Sequence, residues 1–261
     1  MTLTYRRDKT NEYDESIIES LVEYNTSQTG ERKRAKRYLY VFNNDQLVGF
    51  AHLFFGWDWI HLNAYCYQET SVLYTLLNEG YRLFGDDAQG CLLSTFTPFI
   101  IDDFFSANYQ IIGHIDDVPK GYKKVMLTQR DLTPLPSLDY TVKISENELS
   151  EYKNMQQKMM SSFLKKSGVS KSKEDLSFVC LDGEKVVGGV IAVAKLDSIY
   201  VDILYVDEHY RGQHIGVKLM SLVEEHAHRN KILKIYLGTA SFQAPRFYPT
   251  SPRKLPVQGK S

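Results

Sequence analysis

SIYVDILYVDEHYRGQHIGVKLMSLVEEHAH, residues 198–228, is the stretch that decides the fold. Ser198 to Val206 reads as an apolar strand. A polar loop, Asp207-Glu208-His209-Tyr210, leads into the basic turn Arg211-Gly212-Gln213-His214-Ile215-Gly216. Beyond it Ile215, Leu219, Leu222, Val223 and His226 recur at helical spacing, and Lys218, Glu224, Glu225 and His228 take the solvated face. A strand that feeds a helix through such a turn makes an anion site. The first backbone N–H groups of the helix have no internal partner, and the macrodipole adds partial positive charge. Gly212 and Gly216 allow a ligand to approach the backbone closely. The same pattern also fits a plain strand-turn-helix corner, so the rest of the chain has to decide between them.

The chain has 261 residues, enough for two domains or one large one. With 43% hydrophobic and 24% charged residues it reads as a globular protein, and a net charge of −1 gives no global basic surface for nucleic acid. The locally basic run Glu31 to Arg37 reads as a solvated loop before a strand. Cys66, Cys91 and Cys180 are isolated in apolar runs without a Cys-x-x-Cys pair, which points to buried thiols in a reducing compartment. The seven histidines are scattered, so no metal site is expected. The start lacks the apolar run of a signal peptide and no stretch is long enough to span a membrane; a cytoplasmic location without membrane contact is expected.

Taken in order, residues 3–8 read as a strand and 13–27 as a helix. A hairpin about Asn43-Asn44-Asp45 follows, then the strand WIHLNAYCY, a helix over 70–84 and a strand at 91–95. A short helix near 100–105 and the strands YQIIGHI and YKKVMLTQ complete the half. DLTPLPSL, residues 131–138, reads as a linker because each proline disfavours regular pairing. The second half repeats this order: the strand LDYTVKI, a helix over 146–165, a hairpin about Asp182-Gly183, the opening stretch, the strand ILKIYLG and a short FQAPRFY helix. Without gaps, Thr95 matches Thr239 and Phe104 matches Tyr248. The chain therefore reads as a tandem duplication, with domains at 1–130 and 139–261.

Over roughly residues 138–248 the second half resembles the GNAT superfamily of acyl-CoA-dependent N-acetyltransferases. The hairpin VVGGVIAVA, the run LYVDEHYRGQHIGVKLM and the segment LGTASFQAPRFY carry the resemblance. The family pattern is Arg/Gln-x-x-Gly-x-Gly/Ala; Arg211 and Gly216 match it, and His214 stands where the first glycine is usual. The resemblance implies an α/β fold of tandem GNAT domains. Each would be a mixed, mostly antiparallel sheet flanked by helices, splayed to leave a slot between its fourth and fifth strands. Acetyl-CoA, as co-substrate, would lay its pantetheine arm along the backbone of Leu204, Tyr205 and Val206. Its pyrophosphate would meet Arg211, Gly212, Gln213, His214, Ile215 and Gly216. Amide formation needs a base for the attacking amine, and Asp202 and Glu208 are the nearest carboxylates in sequence. Tyr248 matches the tyrosine that many members use to protonate the departing thiolate. The implied activity is acetyl transfer to a primary amine of a small molecule or peptide; the alternative is a non-catalytic tandem protein that binds CoA or a partner.

Two departures bear on this expectation. The first half has LNAYCYQETSVLY in place of LYVDEHYRGQHIG and Phe104 in place of Tyr248, so it reads as a degenerate copy that does not bind acyl-CoA. After Tyr248 the chain continues PTSPRKLPVQGKS, which cannot supply the last two strands of the second sheet. That domain is expected to lack its final hairpin, leaving strand five open to an interdomain or intersubunit contact, a homodimer among them.

Overall fold

The computed structural model describes residues 2–118, 120–166 and 173–248. The chain opens with β1 (Leu3–Arg7) and α1 (Asp14–Thr29). There follow β2 (Ala35–Asn43), β3 (Gln46–Gly56), β4 (Trp59–Tyr67), α2 (Thr70–Phe84) and β5 (Cys91–Thr95). Next come α3 (Ile101–Ser106), β6 (Gln110–Asp116), β7 (Lys123–Gln129), β8 (Thr141–Ser145) and α4 (Lys153–Lys166). The last elements are β9 (Lys173–Asp182), β10 (Lys185–Lys195), β11 (Ser198–Val206), α5 (Ile215–Arg229) and β12 (Lys234–Leu237). Almost every element expected from the sequence is present, because the apolar periodicity is strong and the turns carry Asn-Asp and Asp-Gly.

The division of the chain differs from the expected one. A split unit comprises residues 1–31 and 171–261, and a continuous unit comprises 32–170. The boundaries expected at 131–138 rest on two prolines, but that segment is a strap on the continuous unit. The amide of Asn78 on α2 donates to Leu135 O at 2.8 Å and accepts from Leu135 N–H at 2.7 Å, and Leu132 and Leu135 pack on the core of this unit. Proline removes a donor from a sheet; it does not by itself mark a domain edge.

The two sheets share one plan. The split unit has the order β1-β9-β10-β11-β12, and the continuous unit has β8-β2-β3-β4-β5 followed by β7 and β6. In both, the antiparallel strands end in a parallel pair, β11 with β12 and β4 with β5. In both, the strand before the parallel partner carries a bulge. Asp202 is skipped where Ile191 opposes Ile203 and Ala192 opposes Val201; Asn63 is skipped where His52 opposes Ala64 and Leu53 opposes Leu62. The two sheets thus follow one strand order, and in each the first strand and helix come from the other half of the sequence. β1 pairs antiparallel with β9, and β8 pairs antiparallel with β2. β1 with α1 and β8 with α4 are each a strand followed by a helix, so local sequence does not say which sheet each joins.

Within the split unit α5 covers one face and α1 the other. Side chains alternate along a strand, and a Cβ built on Gly188 would meet Ile215 and Leu219, whereas one on Gly189 would come within 2.2 Å of Ile17 Cδ1. Ile17 is fully buried against this glycine. Gly189→Val is therefore expected to lift α1 from the sheet and to lower stability by about 1–3 kcal/mol. Thermal melting of the variant checks this, and an unchanged melting temperature would show that α1 does not depend on that contact.

In the continuous unit the place corresponding to a slot is filled. Tyr65 on β4 is buried, with its ring edge-on to Phe104 at 5.5 Å and to Phe163 at 6.4 Å; Phe163 also meets Tyr67 and Phe99 at 5.6 and 5.7 Å. At the start of α2 the Asp103 carboxylate accepts from Tyr67 Oη at 2.8 Å and from Thr70 Oγ1 at 2.6 Å. A side-chain anion therefore already stands at the helix N-terminus where an external one would bind. Four of the five basic side chains of the run are engaged: Arg32, Lys33 and Arg37 form ion pairs with Asp58, Asp87 and Glu146, and Arg34 lies over the Trp57 ring at 5.7 Å. Cys66, Cys91 and Cys180 are buried free thiols. No helix among the described residues is long and apolar enough to cross a membrane.

Candidate active site

The parallel ladder between β11 and β12 ends at Val201 opposite Leu237. Past that pair the strands diverge, and residues 202–206 run on without a β12 partner. The divergence opens a cleft of about 420 Å³. Its floor is β11 from Val201 to Val206, and its far end is the turn before α5. Its walls are Leu237 to Thr239 on one side and Leu21 and Tyr24 of α1 on the other, with Phe247 and Tyr248 closing the rim.

The turn is built for an anion. Gly212 has φ +78° and His214 has φ +60°, the left-handed region, and α5 starts immediately after. The first bond inside the helix runs from Lys218 N–H to His214 O at 3.0 Å, so the N–H groups ahead of it have no helical carbonyl. His214 explains why glycine is usual at its position: a side chain in the left-handed region costs roughly 1–2 kcal/mol. Its imidazole is exposed beside the cleft. A Cβ on Gly216 would meet the Phe247 ring at 3.2 Å, so in this structure it is an aromatic ring that uses the space glycine leaves.

Arg211 is folded back. Its Nε donates to Val206 O at 3.3 Å, and its guanidinium lies 4.5 Å from the centre of the Tyr24 ring. Tyr205 points to α1, where Ser20 hydrogen-bonds its hydroxyl, while Leu204 and Val206 join the core under α5. That assignment follows from the bulge, which shifts the alternation of faces by one residue after Asp202. Asp202, the extra residue, lines the cleft and is exposed to solvent on its other side, and partial loss of water on the cleft side raises its carboxyl from the ordinary value. Burial likewise raises the Tyr248 phenol, whose ring is edge-on to Phe247 at 5.0 Å.

Among the residues singled out from the sequence, the cleft thus gathers Asp202, Leu204, Tyr205, Val206, Arg211, Gly212, His214, Ile215, Gly216 and Tyr248. Glu208 and Gln213 are exposed and do not line it. Glu208 belongs to a short 3-10 turn, Glu208–Tyr210, capped by Asp207, whose carboxylate accepts from His209 N–H at 3.0 Å and pairs with Lys185 at 2.9 Å. The sequence reading missed Leu21, Tyr24 and Gln243. It assigned helix 146–165 to the second domain, and the exchanged helix α1 stands beside the cleft. The last residues, 249–261, where the absence of a final hairpin was expected, lie outside the described residues; within them β12 is the outermost strand. Among the described residues no group of three or more His, Cys, Asp or Glu side chains could hold a metal ion.

Residues 141–249 match the family model described as acetyltransferase (GNAT) family. An acetyltransferase of Agrobacterium fabrum (strain C58 / ATCC 33970) is 34% identical over 67 residues, which is 26% of this chain and 49% of that protein. The chain thus spans about half the length of that curated relative. Among solved structures, an acetyltransferase from Bacillus cereus ATCC 14579 is 28% identical with TM-score 0.34, over 40% of this chain and 77% of that one. An acetyltransferase of the GNAT family from Staphylococcus aureus MU50 is 26% identical with TM-score 0.27, over 28% of this chain and 49% of that one.

Proposed function

We propose that this chain, whose residues 141–249 match the acetyltransferase (GNAT) family model, moves an acetyl group from acetyl-CoA to a primary amine of a small molecule or peptide. The observation that carries the reading is the continuity of one cleft from the bulge at Asp202 to the N-terminus of α5, with Tyr248 on its rim. The N–H groups of residues 214–217 and the Arg211 guanidinium would hold the pyrophosphate, and the open backbone of Leu204 to Val206 would take the pantetheine arm.

In the reaction the amine nitrogen attacks the thioester carbonyl carbon. Asp202 accepts the ammonium proton, directly or through one water, and the upward shift of its carboxyl, caused by loss of surrounding water, makes it a stronger base than an ordinary aspartate. The carbon–sulfur bond then breaks, and the Tyr248 hydroxyl delivers a proton to the sulfur. Tyr248→Phe is expected to lower kcat by about 100-fold with acetyl-CoA affinity unchanged. Release of free thiol across a panel of amines measures it, and unaltered turnover would remove Tyr248 from the chemistry.

The pH profile follows from the same assignment. A base must be deprotonated, and the Asp202 carboxyl is shifted upward, so the fall of kcat/KM on lowering pH is expected to begin at a higher pH than an unshifted aspartate would give. Asp202→Asn should abolish that acid limb; an identical limb in the variant would assign it to another group.

One observation favours the non-catalytic alternative, in which CoA or a partner binds without turnover. Phe247 rests on Gly216, and Arg211 is folded onto Tyr24 and Val206, so both must yield to a ligand. Binding heat with acetyl-CoA and no thiol released on any amine would select that reading.

A further inference from the structure

The segment between β12 and Tyr248 is short and irregular, yet it carries the proposed proton donor. It makes two successive turns, with Gln243 N–H donating to Ala240 O at 3.1 Å and Phe247 N–H to Ala244 O at 3.0 Å. The side chain of Gln243 ties the first of them to α1. Its Oε1 accepts from Ala240 N–H at 3.0 Å and from Thr239 Oγ1 at 3.3 Å, and its Nε2 donates to Asn25 Oδ1 at 3.2 Å. Asn25 lies in α1, within the first 31 residues, and is only 5% exposed.

A buried asparagine inside a helix is a poor choice for stability. Its helix propensity is low, and an amide removed from water costs free energy unless it is hydrogen-bonded. An apolar residue would serve packing better, and the repeat supplies the comparison. Counted without gaps from the starts of β8 and β1, Phe163 corresponds to Asn25; by the register that matches Thr95 with Thr239, Phe99 corresponds to Gln243. Phe163 and Phe99 are themselves in ring contact at 5.7 Å. The same helix-to-loop contact therefore exists in both units. It is aromatic where the slot is filled and a hydrogen bond where the cleft is open.

We propose that Asn25 and Gln243 are positioning residues that fix the 238–247 loop, and with it Tyr248, at the thioester end of the cleft. The proposal rests on the acetyltransferase reading for its catalytic consequence but not for its geometry. An amide pair, unlike two rings, holds the loop through a directional bond without filling the cleft. The N-terminal segment, outside the region matched to the family, then contributes to the geometry of proton delivery.

The test is a double-mutant cycle with Asn25→Leu, Gln243→Met and the pair, in the full chain. Each single variant is expected to lower kcat at least about tenfold while the KM for acetyl-CoA stays within about twofold. The double variant should fall no further than the worse single, because both remove one bond. Asn25→Asp, which keeps the acceptor for Gln243, should recover part of the loss. A second readout needs no substrate: with 3-fluorotyrosine placed at position 248, the ¹⁹F signal of either single variant should move to the solvent-exposed range and titrate at lower pH than in the parent chain. An unmoved ¹⁹F signal in both variants overturns the proposal whether or not an amine substrate has been found. Additive losses, or equal losses in kcat and acetyl-CoA affinity, overturn it as well. A moved signal with no turnover in the parent chain supports the positioning and overturns the acetyltransferase reading instead.

Discussion

A chain lacking residues 2–31 is expected to bind no acetyl-CoA and to lose the melting transition of the split unit. Those residues supply β1, which pairs with β9 over five residues, and α1, which covers the sheet face opposite α5. Ile17 is fully buried, and burial of one such side chain is worth about 1.5–3 kcal/mol. Its loss, together with that of the five-residue strand pairing, is large against the 5–15 kcal/mol that typically separates folded from unfolded domains. The cleft would also lose Leu21 and Tyr24 from its wall and the Asn25 anchor of its loop. Circular dichroism melting and calorimetric titration of the shortened chain check both outcomes. If the shortened chain bound acetyl-CoA normally, the second half would be completed by its own helix 153–166, and the exchange would be refuted.

Arg211→Glu is expected to weaken acetyl-CoA binding by about 100-fold or more while leaving the fold intact. The side chain is exposed, its one hydrogen bond among the described residues is a single Nε contact to Val206 O, and its stacking on Tyr24 is a surface interaction, so stability depends little on it. For a diphosphate the change is large. A charge-assisted bond worth about 1.5–3 kcal/mol is lost, and a carboxylate is placed beside the phosphates at the entrance to the helix N-terminus. Arg211→Gln, which keeps a donor without the charge, should retain an intermediate affinity. Salt dependence separates the contributions, since the parent affinity should fall more steeply with ionic strength than that of Arg211→Gln. Equal affinity in all three proteins would place the phosphates elsewhere.

Much of this site was legible in the sequence because its determinants are local. The strand, turn and helix of residues 198–228 are set by periodicity and two glycines, and ten of the twelve residues singled out there and at Tyr248 do line one cleft. Glu208 was misplaced because proximity along the chain says little about direction: three residues of 3-10 turn and the Asp207 cap aim it at solvent. The bulge at Asp202 had no sequence signature of its own, since a bulge is a property of the pairing between two strands. The exchange of β1 and α1 was hidden for a related reason. β1–α1 and β8–α4 are both strand-helix segments, and only the whole set of contacts settles which sheet each completes. One signal was available: Asn25 sits at a position where the other half has Phe163, and a polar residue replacing an aromatic one on a buried helix face marks a place where packing is not the whole requirement.

The continuous unit is expected to bind no acyl-CoA. Sequence shows only that an Arg-Gly turn is missing. The structure adds Tyr65, Phe104 and Phe163 in the slot and the Asp103 carboxylate at the start of α2. A second acyl-CoA would have to displace buried rings and compete with an intramolecular anion.

The stoichiometry of acetyl-CoA binding is therefore the most direct test of the account. Isothermal titration of the full chain is expected to give one site per chain, competed by CoA and lost in Arg211→Glu. Two sites per chain would contradict the filled slot of the continuous unit, and no binding at all would contradict the acyl-CoA cleft between β11 and β12.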